Sequence, residues 1–141
     1  MPPDELIKTI YLGDRGCKGI SIDFWEKIIK LKIDCISRIR SSTGNWEYYN
    51  KECIDDGYIV FSDIENYKID PIGVFACDFI FDFFIKNTEY ESCGKKVYTF
   101  IFEVGYPAGD IVGCADTMTI EIKARELWLE DPQKPGVKII D

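Results

Sequence analysis

Twenty-five carboxylates and not one histidine set the chemistry open to this chain of 141 residues. Without an imidazole the commonest general base is missing, and Ser-His-Asp and Cys-His nucleophile arrangements are excluded. Carboxylate pairs remain, and Asp55 with Asp56 or Asp110 with Asp116 have the residue type for acid–base work or for holding a hard cation. A chain this acidic produces such pairs by chance, so no catalytic residue is assigned. The cysteines, at 17, 35, 53, 77, 93 and 114, contain no C-x-x-C pair. Without histidine, a zinc site would need four of them from distant segments, so the expectation is free thiols, no metal and no cofactor. Gly13-x-x-Gly16-x-x-Gly19 has phosphate-loop spacing but lacks the Gly-Lys-Ser/Thr ending and any following helix, and reads as turn glycines.

Binding chemistry is better represented. Between Trp46 and Asp56 the chain places Trp46, Tyr48 and Tyr49 beside Glu52, Asp55 and Asp56, outside any clear strand. Aromatic anchors with an acidic rim suit a basic protein partner; the other reading is that Trp46 and Tyr49 plug the end of the fold. Gly105–Asp116 is longer and richer in glycine than a simple hairpin requires, which fits either a functional loop or a hairpin tip without chemistry.

The elements that position these residues are strands. In 26–40, Ile29, Leu31, Ile33, Cys35 and Ile39 share one face, and Lys30, Lys32, Asp34, Arg38 and Arg40 the other. The basic row fits a solvated or guarded edge strand better than a binding stripe. In 117–129, Met118, Ile120, Ile122, Ala124 and Trp128 oppose Thr119, Glu121, Lys123 and Arg125. Turn chemistry separates further strands near 6–12, 18–23, 58–62, 64–70, 76–86 and 96–104, with one helical turn over 50–54. Residues 79–85 are apolar on both faces except at Asp82, which predicts a deep strand, covered on both sides or meeting a partner. The expected core includes Ile29, Leu31, Ile33, Phe81, Phe83, Phe100, Phe102, Ile120, Ile122 and Trp128. Many short strands and little helix predict an all-β fold, an antiparallel β-sandwich or flattened barrel, in a single domain over 1–141 with a polar, proline-broken tail from 130.

Charge narrows the partners. The first forty residues carry eight basic and six acidic side chains, the remainder nine and nineteen, for a net of −8. Nucleic acid is therefore not expected. No apolar run approaches a membrane span and the N-terminus has no leader pattern, so the expected place is the cytosol, with no membrane partner.

Four stretches carry a resemblance: Gly13–Ile20, Ile33–Ser41, Gly44–Tyr49 and Ile54–Phe61. Together, over roughly residues 10–75, they resemble an uncharacterised bacterial family of small cytosolic proteins. The remainder, with Glu121-Ile122-Lys123-Ala124 and Glu130-Asp131-Pro132, is similar to the β-sandwich immunity proteins of polymorphic toxin systems. The resemblance implies a non-catalytic protein that masks the active site of a cognate toxin domain, for which a basic nuclease is one candidate. The alternative is a structural or small-ligand-binding β-sandwich module without a toxin partner; an enzyme ranks third.

Overall fold

Alternating apolar and polar side chains bury one face of an extended chain, and that alternation builds most of this molecule. The computed structural model describes residues 1–47, 52–76, 79–107 and 115–141. A short helix α1 (Pro3–Leu6) and a 3-10 turn (Ile7–Thr9) lead into strands β1 (Ile10–Tyr11), β2 (Cys17–Asp23), β3 (Ile28–Ile33), β4 (Cys35–Arg38) and β5 (Cys53–Asp55). Four longer strands follow: β6 (Tyr58–Asp70), β7 (Ile80–Tyr90), β8 (Lys96–Pro107) and β9 (Ala115–Glu130). They form two antiparallel sheets in a sandwich-like all-β fold, one ordered β1-β4-β5 and the other β2-β3-β6-β9-β8-β7. A bridge between Gly16 and Phe79, with the Ile80 amide donating to the Arg15 carbonyl at 2.9 Å, joins the leads into the two edge strands of the larger sheet.

The core follows the parity of the strands. Ile29, Leu31, Ile33, Phe100, Phe102, Ile120 and Ile122 are buried as expected, and Phe83 packs against them. Phe61 meets Phe100 and Phe83 edge-on at 5.0 and 6.0 Å between ring centroids.

Parity then breaks where the strands bend. Inward positions on β6 run Ile59, Phe61, Ile64, Ile69, and their cross-strand partners on β9 run Leu129, Leu127, Ala124, Ile120. Both strands take a three-residue step at Asp63 and Arg125, where Asp63 has φ 51°. A residue in that conformation inside a strand marks a bulge and a bend. The expected strands 58–62 and 64–70 are thus one bent strand. The same step moves Trp128 to the opposite face: it is buried there, beneath Lys138, whose Nζ lies 4.1 Å from the ring, rather than within the main core. Phe81 is a second correction. A register shift between Ile80 and Asp82 leaves it 49% exposed, and the strand it belongs to lies at the sheet edge rather than deep inside.

The expected strand over 26–40 is broken at Asp34. Its carboxylate accepts the amides of Gly16 (3.0 Å) and Cys35 (2.8 Å), and the chain passes from one sheet to the other. Beyond the break Ile36 rather than Cys35 enters the core, and Arg38 is buried instead of outward. Residues 6–9 are helical rather than extended because Pro3 starts a turn that buries Leu6. Cys53–Ile54 lie in a strand, so the helical turn over 50–54 does not extend to them. The tail folds back, with the Leu129 and Ile139 amides exchanging hydrogen bonds at 3.0 and 2.8 Å.

Candidate binding surface

The segment singled out by sequence is largely occupied with holding the small sheet. Trp46 is half-buried and stacked on Tyr11 at 4.8 Å with 12° between the planes. Glu52 pairs with Arg40 at 2.7 Å and Asp56 with Lys18 at 2.6 Å. The hydrogen bond from Lys18 holds the Asp56 carboxyl below the usual carboxylate range. Asp55 is exposed on β5 opposite Cys35. Tyr48 and Tyr49 lie outside the described residues, as does 108–114 within the Gly105–Asp116 loop. Of the six candidates, Trp46, Glu52 and Asp56 are therefore tied to neighbours in the fold.

The basic row is dispersed by the same architecture. Lys30 turns to Glu130 at 3.1 Å, and Arg40 reaches Glu52. Buried Arg38 donates to the Thr9 hydroxyl at 2.8 Å and to the Asp141 backbone oxygen at 3.0 Å, and burial lowers its pKa. Burial pushes the Cys17 and Cys35 thiols up, although Arg15 opposes it at Cys35. Cys17, Cys35, Cys53 and Cys93 are free. Among the described residues no group of three or more Cys, Asp or Glu has metal-binding geometry, and no helix is long and apolar enough to cross a membrane.

A different surface carries unpartnered aromatics. The β2–β3 hairpin tip presents Phe24 and Trp25 at 78% and 92% exposure. The tip is built by Asp23, whose Oδ1 accepts the amides of Trp25 (3.0 Å) and Glu26 (2.9 Å), and by Lys27 at φ 55°. Sequence reading passed over it, although the signal was present: two aromatics in a turn between two strands have no face on which to be buried.

Below the tip runs a groove. Beyond Phe61 the bent β6 no longer pairs with β3 and instead faces the hairpin. A cavity of about 480 Å³ opens there, lined by Ile22, Asp23, Phe24, Asp63, Glu65 and Tyr67 among others. Farther along β2 a second, apolar cavity of about 390 Å³ is lined by Ile20, Ile69, Val74, Phe75, Met118 and Ile120 among others. The two adjoin through neighbouring positions on the same strands, Ile20 and Ile22 on one wall, Tyr67 and Ile69 on the other. The result is one groove, acidic and aromatic at the hairpin end and apolar at the other.

Fold and surface together define an all-β protein of two antiparallel sheets with a groove along the edge strand of the larger one. The chain belongs to the family of unknown function DUF6258, whose model matches residues 1–141. The match spans the whole chain, where the expected family resemblance covered roughly residues 10–75. No curated protein and no solved structure matches it.

Proposed function

We propose that this chain is a non-catalytic binding protein that grips a basic protein domain at the hairpin end of the groove, and that its biological role is immunity: masking the active site of a cognate toxin. A bacterial, cytosolic setting belongs to the same proposal. The observation that carries it is the pair Phe24 and Trp25, held out on a structured hairpin beside Asp23, Glu26, Asp63 and Glu65. Large aromatics supply buried contact area, and surrounding carboxylates steer and orient a cationic partner. The segment containing Trp46, Tyr48, Tyr49, Glu52, Asp55 and Asp56 becomes the secondary candidate, because its described aromatic, Trp46, is half-buried against Tyr11, whereas Phe24 and Trp25 stand exposed; carboxylates at both places, Glu52 and Asp56 here and Asp63 and Glu65 there, already have cationic partners.

The test is whether a neighbouring gene encodes a toxin domain, followed by co-expression with that domain and binding measurements on the purified pair. Trp25→Ala should weaken the complex by more than 2 kcal/mol, the hot-spot range. The pair Asp55→Lys and Asp56→Lys should have a smaller effect. Full protection by Trp25→Ala, with unchanged affinity, would remove the hairpin from the interface.

A further inference from the structure

Resting on that reading, the groove specifies how a partner is held: we infer that an extended segment of the partner adds as a strand to the free edge of β2, placing a bulky apolar side chain in the cavity of Ile20, Ile69, Phe75, Met118 and Ile120 and basic side chains at the Asp23 end. Three independent features converge on this. The first is the edge itself. Among the described residues β2 pairs only with β3, and most of its seven residues are exposed. Edge strands are commonly guarded by charge, proline or a covering element. Here the one lysine of the strand, Lys18, is drawn away into its ion pair with Asp56, and Gly19 has open space where a side chain would stand. Gly19 to Ile22 is left without a charged side chain.

The second feature is the cavity beside that edge. In strand addition, main-chain hydrogen bonds provide affinity and pockets for alternate side chains provide specificity. The apolar cavity opens against Cys17–Ile20, where inward side chains of an added strand would point, and Ile72 and Phe75 stand at its rim 83% and 88% exposed. The third feature is polarity along the groove. The hairpin end carries Asp23, Glu26, Asp63 and Glu65 against Lys27 and Arg125, the last paired with Asp63 and Glu65, whereas among the described residues Lys18 is the single charged one lining the other end. An added antiparallel strand therefore runs with its basic residues first and its apolar residues last. At about 3.3 Å per residue, Gly19–Asp23, clear of the Gly16–Phe79 bridge, offers roughly 16 Å of edge, against which the central residues of a seven-residue segment can pair.

The experiment uses the full chain, isotope-labelled, titrated with blocked synthetic heptapeptides. The lead probe is Lys-Thr-Lys-Thr-Phe-Thr-Leu, within a set in which Arg replaces Lys and Ile, Val, Met or Trp replaces Phe or Leu. Controls are the reversed sequences and a version with Thr at both apolar positions. At least one lead peptide should shift the amides of Gly19–Ile22 and slow their exchange at least tenfold, and bind at least tenfold more tightly than its reversed or Thr-substituted control. Ile20→Lys and Phe75→Ser, both at exposed positions, should weaken binding at least tenfold without lowering Tm. Strand addition is overturned if no peptide of the set binds, if controls bind as well as leads, or if only cavity side chains respond while β2 amides stay unprotected, the mark of a small apolar ligand. The broader reading fails by a different result, a neighbouring-gene toxin domain whose binding ignores Trp25→Ala. If that domain is sensitive to Trp25→Ala but not to Ile20→Lys, strand addition alone is lost.

Discussion

Close packing around single residues decides much of what this chain tolerates. Gly57 sits where the small sheet meets the large one, its carbonyl accepting the Ile33 amide at 2.8 Å. A Cβ there would stand 2.8 Å from Ile54 Cγ2 and 2.9 Å from Ile36 Cδ1, both on buried side chains. Gly57→Ala should therefore destabilise the protein by about 1–3 kcal/mol, read as a lower urea midpoint with unchanged m. Tyr98 offers a test by pH. Burial, then the neighbouring Asp4 carboxylate to which its hydroxyl donates at 3.3 Å, pushes its pKa up to about 12. The folded state thus holds this proton more tightly than the unfolded state, whose tyrosine titrates near 10. Its contribution is complete below about pH 10 and is lost as pH rises toward 12. Tyr98→Phe should flatten stability across that interval; an identical alkaline slope in the variant would refute the assignment.

At the scale of elements the decisive feature is the bend at Asp63. Aspartate tolerates the left-handed conformation better than most residues, and a β-branched side chain tolerates it worst. Asp63→Val should cost on the order of 1–3 kcal/mol and Asp63→Gly much less, by thermal or urea unfolding. This bend also shows why the sequence was legible in some places and not in others. Period-two alternation places Ile29, Leu31, Ile33, Phe100, Phe102, Ile120 and Ile122 correctly because each lies in an uninterrupted stretch of strand. It misplaces Trp128 and Phe81 because one bulge reverses inside and outside for everything beyond it, and nothing in a local window announces that residue. Asp34 acts likewise: its side chain captures two amides from either side of the chain's passage between sheets, a tertiary event. The aromatic–acidic composition of 46–56 was readable, but its ion pairs were not, since the lysine and arginine that occupy Asp56 and Glu52 come from 38 and 12 residues away. Phe24 and Trp25 needed no tertiary knowledge, only attention to what a turn cannot bury.

For the whole molecule, charge sets the encounter. A net of −8 favours a cationic partner from a distance and repels an anionic one. If the partner is basic, its association rate should fall about tenfold or more between low and high salt, with dissociation changing far less, a pattern stopped-flow fluorescence of Trp25 can follow. A salt-independent association rate would leave apolar contact as the sole source of recognition. The ion pairs of Lys123 with Glu89 at 3.0 Å, reaching across β8 from β9 to β7, and of Arg125 with Asp63 at 3.5 Å, between adjacent β9 and β6, are exposed enough to matter little to stability.

Because β6 and β9 each continue through the corner at Asp63 and Arg125, the same two backbones serve the core on both sides of it. Neither side can melt while leaving the other intact, since losing Ile59 and Leu129 frays the very strands that hold Ile69 and Ile120. The molecule should consequently lack a sub-global unfolding unit along this axis. Native-state hydrogen exchange should report one common opening free energy for amides at 59–61, 120–122 and 127–129, equal to that of global unfolding. Separate values for the stretches before and after the bend would show that the corner is a hinge between two independently melting bodies.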